Sequence, residues 1–331
     1  MSKAGSDRVA QAVRGHHPVD VVPPDISRYK QGNTGVDYVH VTDSGRAGPT
    51  VMVQALTHGN EFCGAHALDM LLGEQIKPAA GKLIAAFANV DAYARFDFED
   101  PDASRYIDED YNRVWGDDVL FGARDSAELR RARQLQPFVD AADFLLDIHS
   151  MHEPCRPIMV CGIVDKHVNL ARKVGLPADL LLDTGHPAGV RMRDRGSFND
   201  PESSRAALLI ECGQHWEKSS VDVAVDTMLR FLAATGSVPF ESIKSRLKVK
   251  PPAQQRVIRV TEPVVAQSMN FEFVVPLEGL AIVPKAGMPI ARDGDKVWVA
   301  PYDDTVLVMP SLRHLRPGNT QVRLGRYEST L

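Results

Sequence analysis

Long apolar runs are missing from this chain: no window approaches the ~18 consecutive apolar residues that a membrane-spanning helix requires. Cysteine is scarce. The four residues Cys63, Cys155, Cys161 and Cys212 form no C-x-x-C pair, which argues against a disulfide framework and against a cysteine-built zinc knot. They are expected to be reduced, mostly buried thiols of a cytoplasmic protein. Excess charge of one sign is missing too. The balance of 38 Lys and Arg against 43 Asp and Glu leaves −5, spread along the chain, and gives no reason to expect nucleic acid or a membrane surface as partner. The opening twenty residues, MSKAGSDRVAQAVRGHHPVD, lack the apolar core of a secretory signal. Internal repeats and low-complexity tracts are also lacking.

What is present is an ordinary globular composition, 44% hydrophobic and 24% charged over 331 residues, enough for a sizeable core and for two domains. Strand and helix patterns alternate in the first part. Residues 51–55, 83–88, 144–148 and 206–210 read as strands. Residues 62–72, 126–141 and 221–233 read as helices; Asp125 or Ser126 can cap the second, Glu128 lies in its first turn, and Pro137 is expected to kink or shorten it. Several strands are apolar enough to be covered on both faces. The pattern implies an α/β fold, a central sheet flanked by helices. The texture changes at residues 244–256, KSRLKVKPPAQQR, a basic Pro-containing linker. Short β-rich runs follow at 256–260, 271–275, 296–299 and 305–309, with a hairpin signal at Arg292-Asp293-Gly294-Asp295. The expected organisation is a catalytic domain over residues 1–245 and a small all-β C-terminal domain over 250–331.

Three of the strands end alike. The stretch LTHGNEFCG (56–64) places His58 and Glu61 just after one strand; FLLDIHS places His149 at the end of a second; ALLIECG places Glu211 at the end of a third. In open α/β sheets ligands collect at the carboxyl ends of the strands, and a carboxylate buried after an apolar run is costly unless paired. Two His and one Glu form a catalytic zinc set with an open position for water. His58, Glu61 and His149 are therefore expected to hold one Zn2+ per chain. Glu211 is left beside the metal, where a carboxylate can take a proton from water and return it to a leaving amine. A fourth stretch, SRYIDEDYNRVWG (104–116), offers Arg105, Asn112 and Arg113, and an arginine fork suits a carboxylate or a developing oxyanion.

H-G-N-E, R-Y-I-D-x-D-x-N-R, D-I-H-S and I-E-x-G occur in that order between residues 58 and 213. In this the chain resembles the succinylglutamate desuccinylase/aspartoacylase family, within the zinc carboxypeptidase superfamily. The C-terminal β domain has no metal motif or evident catalytic group of its own and is expected to wall the active site. The resemblance implies a zinc carboxypeptidase-like mixed sheet. It also implies zinc on His58, Glu61 and His149, and Glu211 as general base and acid acting on water at the metal. Arg105 would polarise the scissile carbonyl, Asn112 and Arg113 would hold the substrate carboxylate, and Asp110 would fix the tautomer of His58. The implied reaction is deacylation of a small N-acyl amino acid. A zinc carboxypeptidase acting on short peptides shares this chemistry, and a metal-binding module without turnover would need neither Glu211 nor Arg105.

The chain also departs from the family pattern. Met151, His152 and Glu153 follow D-I-H-S, and His152, like His215, either lines the pocket or has a structural role. The segment YARFDFEDPDAS (93–104) is long and acidic: a solvated loop, or a negative rim favouring a cationic substrate. Arg191, Arg193 and Arg195 form either a basic lid or a surface loop. Cys63 and Cys212 flank proposed site residues: soft ligands able to bind zinc, or, as expected, buried thiols.

Overall fold

The computed structural model of the protein describes residues 17–313 and 315–328; most of the N-terminal segment read above for a secretory signal lies outside them. Three central strands are β2 (Thr50–Ala55), β4 (Phe144–Met151) and β7 (Ala206–Gln214). Nearly every residue in them is buried, which explains their continuous apolar character. Their side chains alternate between two faces, as the strand period of two requires. Val51, Val53, Leu146, Ile148, Leu208 and Ile210 join one core, under the helices Cys63–Gly73, Asp165–Val174 and Lys218–Ala234. Met52, Leu145 and Ala207 join the other, under the helix Ala127–Ala141. Each such buried aliphatic side chain is worth about 1.5–3 kcal/mol.

Further strands extend the sheet: β1 (Val39–Asp43), β3 (Lys82–Phe87), β5 (Ile158–Val160), β6 (Asp179–Leu182), β8 (Arg256–Val265), β10 (Ile282–Val283), β13 (Thr305–Val308) and β14 (Thr320–Tyr327). The order is β1-β3-β2-β4-β7-β5-β6-β8-β14-β13-β10. The strands β3, β2, β4 and β7 are mutually parallel, while β1 and β5 run antiparallel to their neighbours β3 and β7. A separate antiparallel sheet holds β9 (Phe271–Phe273), β11 (Pro289–Asp293) and β12 (Lys296–Val299). This is the expected fold class: a mixed sheet flanked by helices, with a small all-β part at the C-terminal end. The hairpin falls where its turn residues placed it, with Asp293 opposite Lys296 and Gly294 at a φ of 61°.

Two local expectations need correction. The helix at 127–141 runs unbroken through Pro137. It starts on Ser126, whose hydroxyl accepts from the Leu129 N–H at 3.0 Å, and Arg205 closes its far end by donating to the carbonyls of Val139 and Ala142. The segment 244–256 is not a loose linker. Asp226 accepts from the backbone N–H groups of Lys248 and Val249 at 2.9 and 2.7 Å, and Leu247 and Val249 pack on the core. The parallel pairing of β8 with β6, Arg256 beside Asp179, then carries the sheet across this segment. Among the described residues no helix is long and apolar enough to cross a membrane.

Candidate active site

The parallel neighbours β2, β4 and β7 bring their C-terminal ends to one edge. On β4, Asp147 and His149 share the face opposite Ile148, and the register sets His149 directly beside Glu211 on β7. His58 and Glu61 arrive from the turn after β2. That turn is held tightly. Leu56 has a φ of 60°, a left-handed conformation that costs a non-glycine residue about 1–3 kcal/mol, and its carbonyl accepts from the Asn89 N–H at 2.8 Å. At Gly59 a Cβ would strike the Ser104 carbonyl and the backbone of Ala92 and Tyr93; the Gly59 N–H donates to the Arg105 carbonyl at 3.0 Å. Glycine is therefore required where the H-G-N-E turn meets the loop carrying Arg105.

That loop is fastened by Glu128. Its carboxylate accepts from the backbone N–H groups of Ile107, Asp108 and Glu109 at 2.7, 3.1 and 3.2 Å and from the Asn89 side chain at 3.0 Å. Glu128 read from sequence only as an acid in a first helical turn; its burial assigns it the positioning of the loop. Asp110 then accepts from the Asn112 N–H at 2.8 Å, and the Asn112 side-chain oxygen accepts from the Met192 N–H at 3.0 Å.

His58, Glu61 and His149 converge, with ligand atoms within 4.8 Å of one another, all buried. Nδ1 of His58 lies 2.7 Å from Glu61 Oε1, and Nδ1 of His149 lies 3.0 Å from Glu61 Oε2. The opposite nitrogens are engaged by carboxylates: His58 Nε2 lies 2.9 Å from Asp110 Oδ1, and His149 Nε2 lies 2.7 Å from Asp147 Oδ2. If each Nε2–H is given to its aspartate, both Nδ1 lone pairs face the Glu61 carboxylate. Three acceptors facing one another require positive charge among them, as protons on the rings or as a metal ion. The electrostatics agree. Burial alone would raise the Glu61 carboxyl, yet His58 and His149 hold it well below its usual range. Burial opposes the charged form of His149, but Asp147 and Glu61 outweigh it and raise its pKa well above the usual value. This donor set fits a divalent metal ion with two imidazoles and a carboxylate, each imidazole backed by an acid that sets its tautomer.

Asp110 lies at His58 Nε2. Asp147 was missed, although its place two residues before His149 on one strand was the available signal: alternation puts both on the same face. Thr57 and Gln54 complete the chain behind it, the Thr57 hydroxyl donating to Asp147 Oδ1 at 2.7 Å and the Gln54 amide donating to Thr57 at 2.9 Å. For a metal ion held at this centre, Asp110→Ala and Asp147→Ala are each expected to weaken affinity about 10–100-fold. Competition with a chromophoric chelator measures this; wild-type affinity in both variants would return the two aspartates to structural roles.

One cavity is lined by His58, Glu61 and His149 together with Arg105, Asn112, Arg113 and Glu211. Among the described residues Glu211 Oε2 has no hydrogen-bond partner. Burial pushes the Glu211 carboxyl up to about 8, with His149 and Arg105 opposing this and the Glu61 charge adding to it. Arg105 Nη1 donates to Glu61 Oε1 at 3.0 Å, which places its guanidinium beside the three convergent donors. His152 lines the cavity, its ring 4.4 Å from that of His215. His215 lies behind it, hydrogen-bonded through Nδ1 to the Ser150 hydroxyl at 2.8 Å.

The three arginines of GVRMRDRGSF form neither a lid nor a loose surface loop. Arg191 forks onto Asp183 at 2.9 and 2.7 Å, Arg193 is fully buried against backbone carbonyls, and Arg195 holds Asp140 at 2.7 and 2.9 Å. The acidic segment 93–104 puts no residue on the cavity wall; its Asp102 lies 3.2 Å from His152 and 3.5 Å from Arg313. Cys63, Cys161 and Cys212 are free and buried, and Cys155 is half-buried.

The model of the succinylglutamate desuccinylase/aspartoacylase catalytic domain matches residues 47–235, more than half of the chain. No curated protein matches the chain significantly. Among solved structures the chain is similar to succinylglutamate desuccinylase from Vibrio cholerae, with a TM-score of 0.67 at 16% identity, covering 88% of this chain and 86% of that one. It is similar to a succinylglutamate desuccinylase/aspartoacylase from Rhodobacter sphaeroides, with a TM-score of 0.63 at 15% identity over 88% and 89% of the two chains. The product-bound ectoine utilization protein of Ruegeria pomeroyi aligns at a TM-score of 0.59 and 16% identity over 87% and 88%. At these identities the structures speak for the fold, and the family rests on the domain match. With that match spanning all four sequence motifs, the chain belongs to the succinylglutamate desuccinylase/aspartoacylase family of deacylases.

Proposed function

We propose that the protein is a zinc-dependent amidohydrolase that removes the acyl group from a small N-acyl amino acid. One observation carries this reading: the His58, Glu61 and His149 donors share a single cavity with the Arg105 guanidinium and with a Glu211 oxygen that has no hydrogen-bond partner among the described residues. A zinc ion on the three donors would supply Lewis acidity, acidifying water and polarising the scissile carbonyl. Glu211 takes a proton from the attacking water as its oxygen bonds to the carbonyl carbon. Arg105 stabilises the negative charge that develops on the carbonyl oxygen. When the carbon–nitrogen bond breaks, Glu211 returns the proton to the departing nitrogen, and a carboxylic acid and a free amine result. Asn112 and Arg113 hold the substrate carboxylate. Asp110 keeps His58 in the ligating tautomer.

A binding module without turnover would need neither Glu211 nor Arg105. A carboxypeptidase needs a cleft open along the peptide, and here Gly279, Met309, Pro310, Ser311 and Arg323, all beyond residue 250, line the cavity together with the catalytic residues. We therefore treat residues 1–245 as the catalytic domain and 250–331 as a β domain that walls the site and excludes water, which strengthens the interactions made by Arg105 and Arg113. Four free thiols, three of them buried, suit the cytoplasm. A screen of N-acetyl and N-succinyl amino acids with zinc-loaded protein, detecting released amine, tests the function. Release is expected from at least one of them, with little cleavage of peptides longer than about three residues; efficient trimming of long peptides would favour the carboxypeptidase.

A further inference from the structure

Two of the stretches in which this chain departs from the family pattern meet beside the cavity. Met151, His152 and Glu153 follow the D-I-H-S motif. Met151 packs in the core shared with the C-terminal region, while His152 and Glu153 line the cavity. The Gly279 N–H donates to the Pro154 carbonyl at 3.1 Å, and a Cβ at Gly279 would strike the Cys155 side chain. The two parts of the chain therefore touch along residues 151–155. The acidic segment 93–104 reaches the same seam through Asp102, and Arg313 joins the pieces. Its Nη1 lies 3.5 Å from Asp102 Oδ2 and its Nε 3.6 Å from Glu153 Oε1. His17 Nε2 also faces Glu153, at 3.1 Å, and His152 Nδ1 faces Asp102 at 3.2 Å. Only 10% of the Arg313 side chain is exposed, against 9% for Glu153 and 18% for Asp102, so these are not solvated surface pairs. Two carboxylates this far out of water need the cation beside them. Burial opposes the charge on Asp102, yet His152 and Arg313 outweigh it and hold its carboxyl below the usual range.

Arg313 and its two partners belong to three separate walls. Met309, Pro310 and Ser311, just before Arg313, line the cavity. Asp102 precedes Arg105, whose N–H donates to the Asp102 carbonyl at 3.2 Å. Glu153 lies on the chain leaving β4, just beyond His149. We propose that Arg313 is a clamp that holds the C-terminal wall shut against the loop of Arg105 and the segment after β4, and so limits the size of substrate admitted. The inference rests on the deacylase reading for its substrate and on contacts within the chain for the clamp. Arg313 is not among the cavity-lining residues; it is a positioning residue. Without the guanidinium, Asp102 and Glu153 lose the cation they share. The least costly relief is hydration of both carboxylates, which requires the three segments to part.

Cys155 reports the state of the wall. It lines the cavity, half-buried, whereas Cys63, Cys161 and Cys212 are buried. Burial pushes its thiol up to about 12, so it reacts slowly while the wall is closed. Full-length wild type and variants are treated with N-ethylmaleimide, and the labelled cysteines are mapped by mass spectrometry. Arg313→Gln is expected to speed labelling of Cys155 about tenfold or more, while the other three thiols keep their wild-type rates. Arg313→Lys, which keeps the charge, should lie closer to wild type, because the contacts to the two acids are ionic and longer than the hydrogen bonds of a fork. An unchanged Cys155 rate in Arg313→Gln would overturn the clamp, and so would equal acceleration of all four thiols, the mark of general destabilisation. If Arg313→Gln gives no soluble protein, Asp102→Asn and Glu153→Gln each remove one charge of the cluster and are read in the same way. A kinetic arm uses zinc-loaded protein and compares an N-acyl amino acid that the screen finds with the same acyl group on a tripeptide. Arg313→Gln should raise the ratio of kcat/KM for the longer substrate to that for the shorter by about tenfold, and weaken the shorter one through KM. An unchanged ratio would overturn the size selection. If the wild type hydrolyses no N-acyl amino acid, the deacylase reading fails, and the labelling decides the clamp alone.

Discussion

Replacing Glu211 by glutamine is expected to leave metal binding intact and to lower kcat by about 10²–10⁴-fold, the usual contribution of a general acid–base group. Glutamine has nearly the shape of glutamate and still fits beside His149 on β7, but it cannot accept the proton from water. Glu211 is not one of the three convergent donors, so metal content should be unchanged. Metal analysis of the purified variant and a steady-state amine-release assay check the two halves. A variant with full turnover would remove Glu211 from the chemistry. A variant that had lost its metal would instead make Glu211 a ligand.

Truncation at residue 250 is expected to abolish soluble protein. The cut removes β8, whose Arg256–Arg259 segment pairs with β6, and so opens the edge of the central sheet. It also uncovers a shared core. Ile258, Leu280, Val306 and Val308 pack there with Met151, Val160, Leu181 and Leu209. Four buried aliphatic side chains at about 1.5–3 kcal/mol each are comparable with the whole net stability of a domain, about 5–15 kcal/mol. The exposed edge and apolar face favour aggregation. Soluble expression and far-ultraviolet circular dichroism of the 1–250 fragment test this, and a monomeric, folded fragment would show that the catalytic part stands alone.

Much of the site was legible because its information is local. An apolar run that ends in His or Glu identifies a strand and the polar group at its end, and this located His58, Glu61, His149 and Glu211. The Ser126 cap and the Asp293-Gly294-Asp295 turn were readable for the same reason, since a cap or a turn depends on a few neighbouring backbone groups. Other residues carried the same letters with other meanings. Arg191, Arg193 and Arg195 look like a basic lid or a surface loop in a one-dimensional reading, yet each is consumed by a buried or partly buried acid or carbonyl. Glu128 looks like an ordinary helical acid because its partners come from separate segments; Asp147 looks like an ordinary strand residue, although one partner, His149, lies two residues on along the same strand and only Thr57 comes from elsewhere.

The sequence by itself determined which faces of β2, β4 and β7 are apolar, where those strands stop, and which polar residues follow, because side-chain alternation and chain breaks are properties of adjacent residues. Only the tertiary structure decided that β4 lies between β2 and β7, so that His149 stands beside Glu211 and within reach of Glu61. Only it showed that β8 joins β6 across residue 250, and that β14 brings Arg323 into the same cavity as Arg113 from the far end of the chain. Strand order and register are set by packing between segments many residues apart, and no local pattern specifies which distant edge a strand will meet.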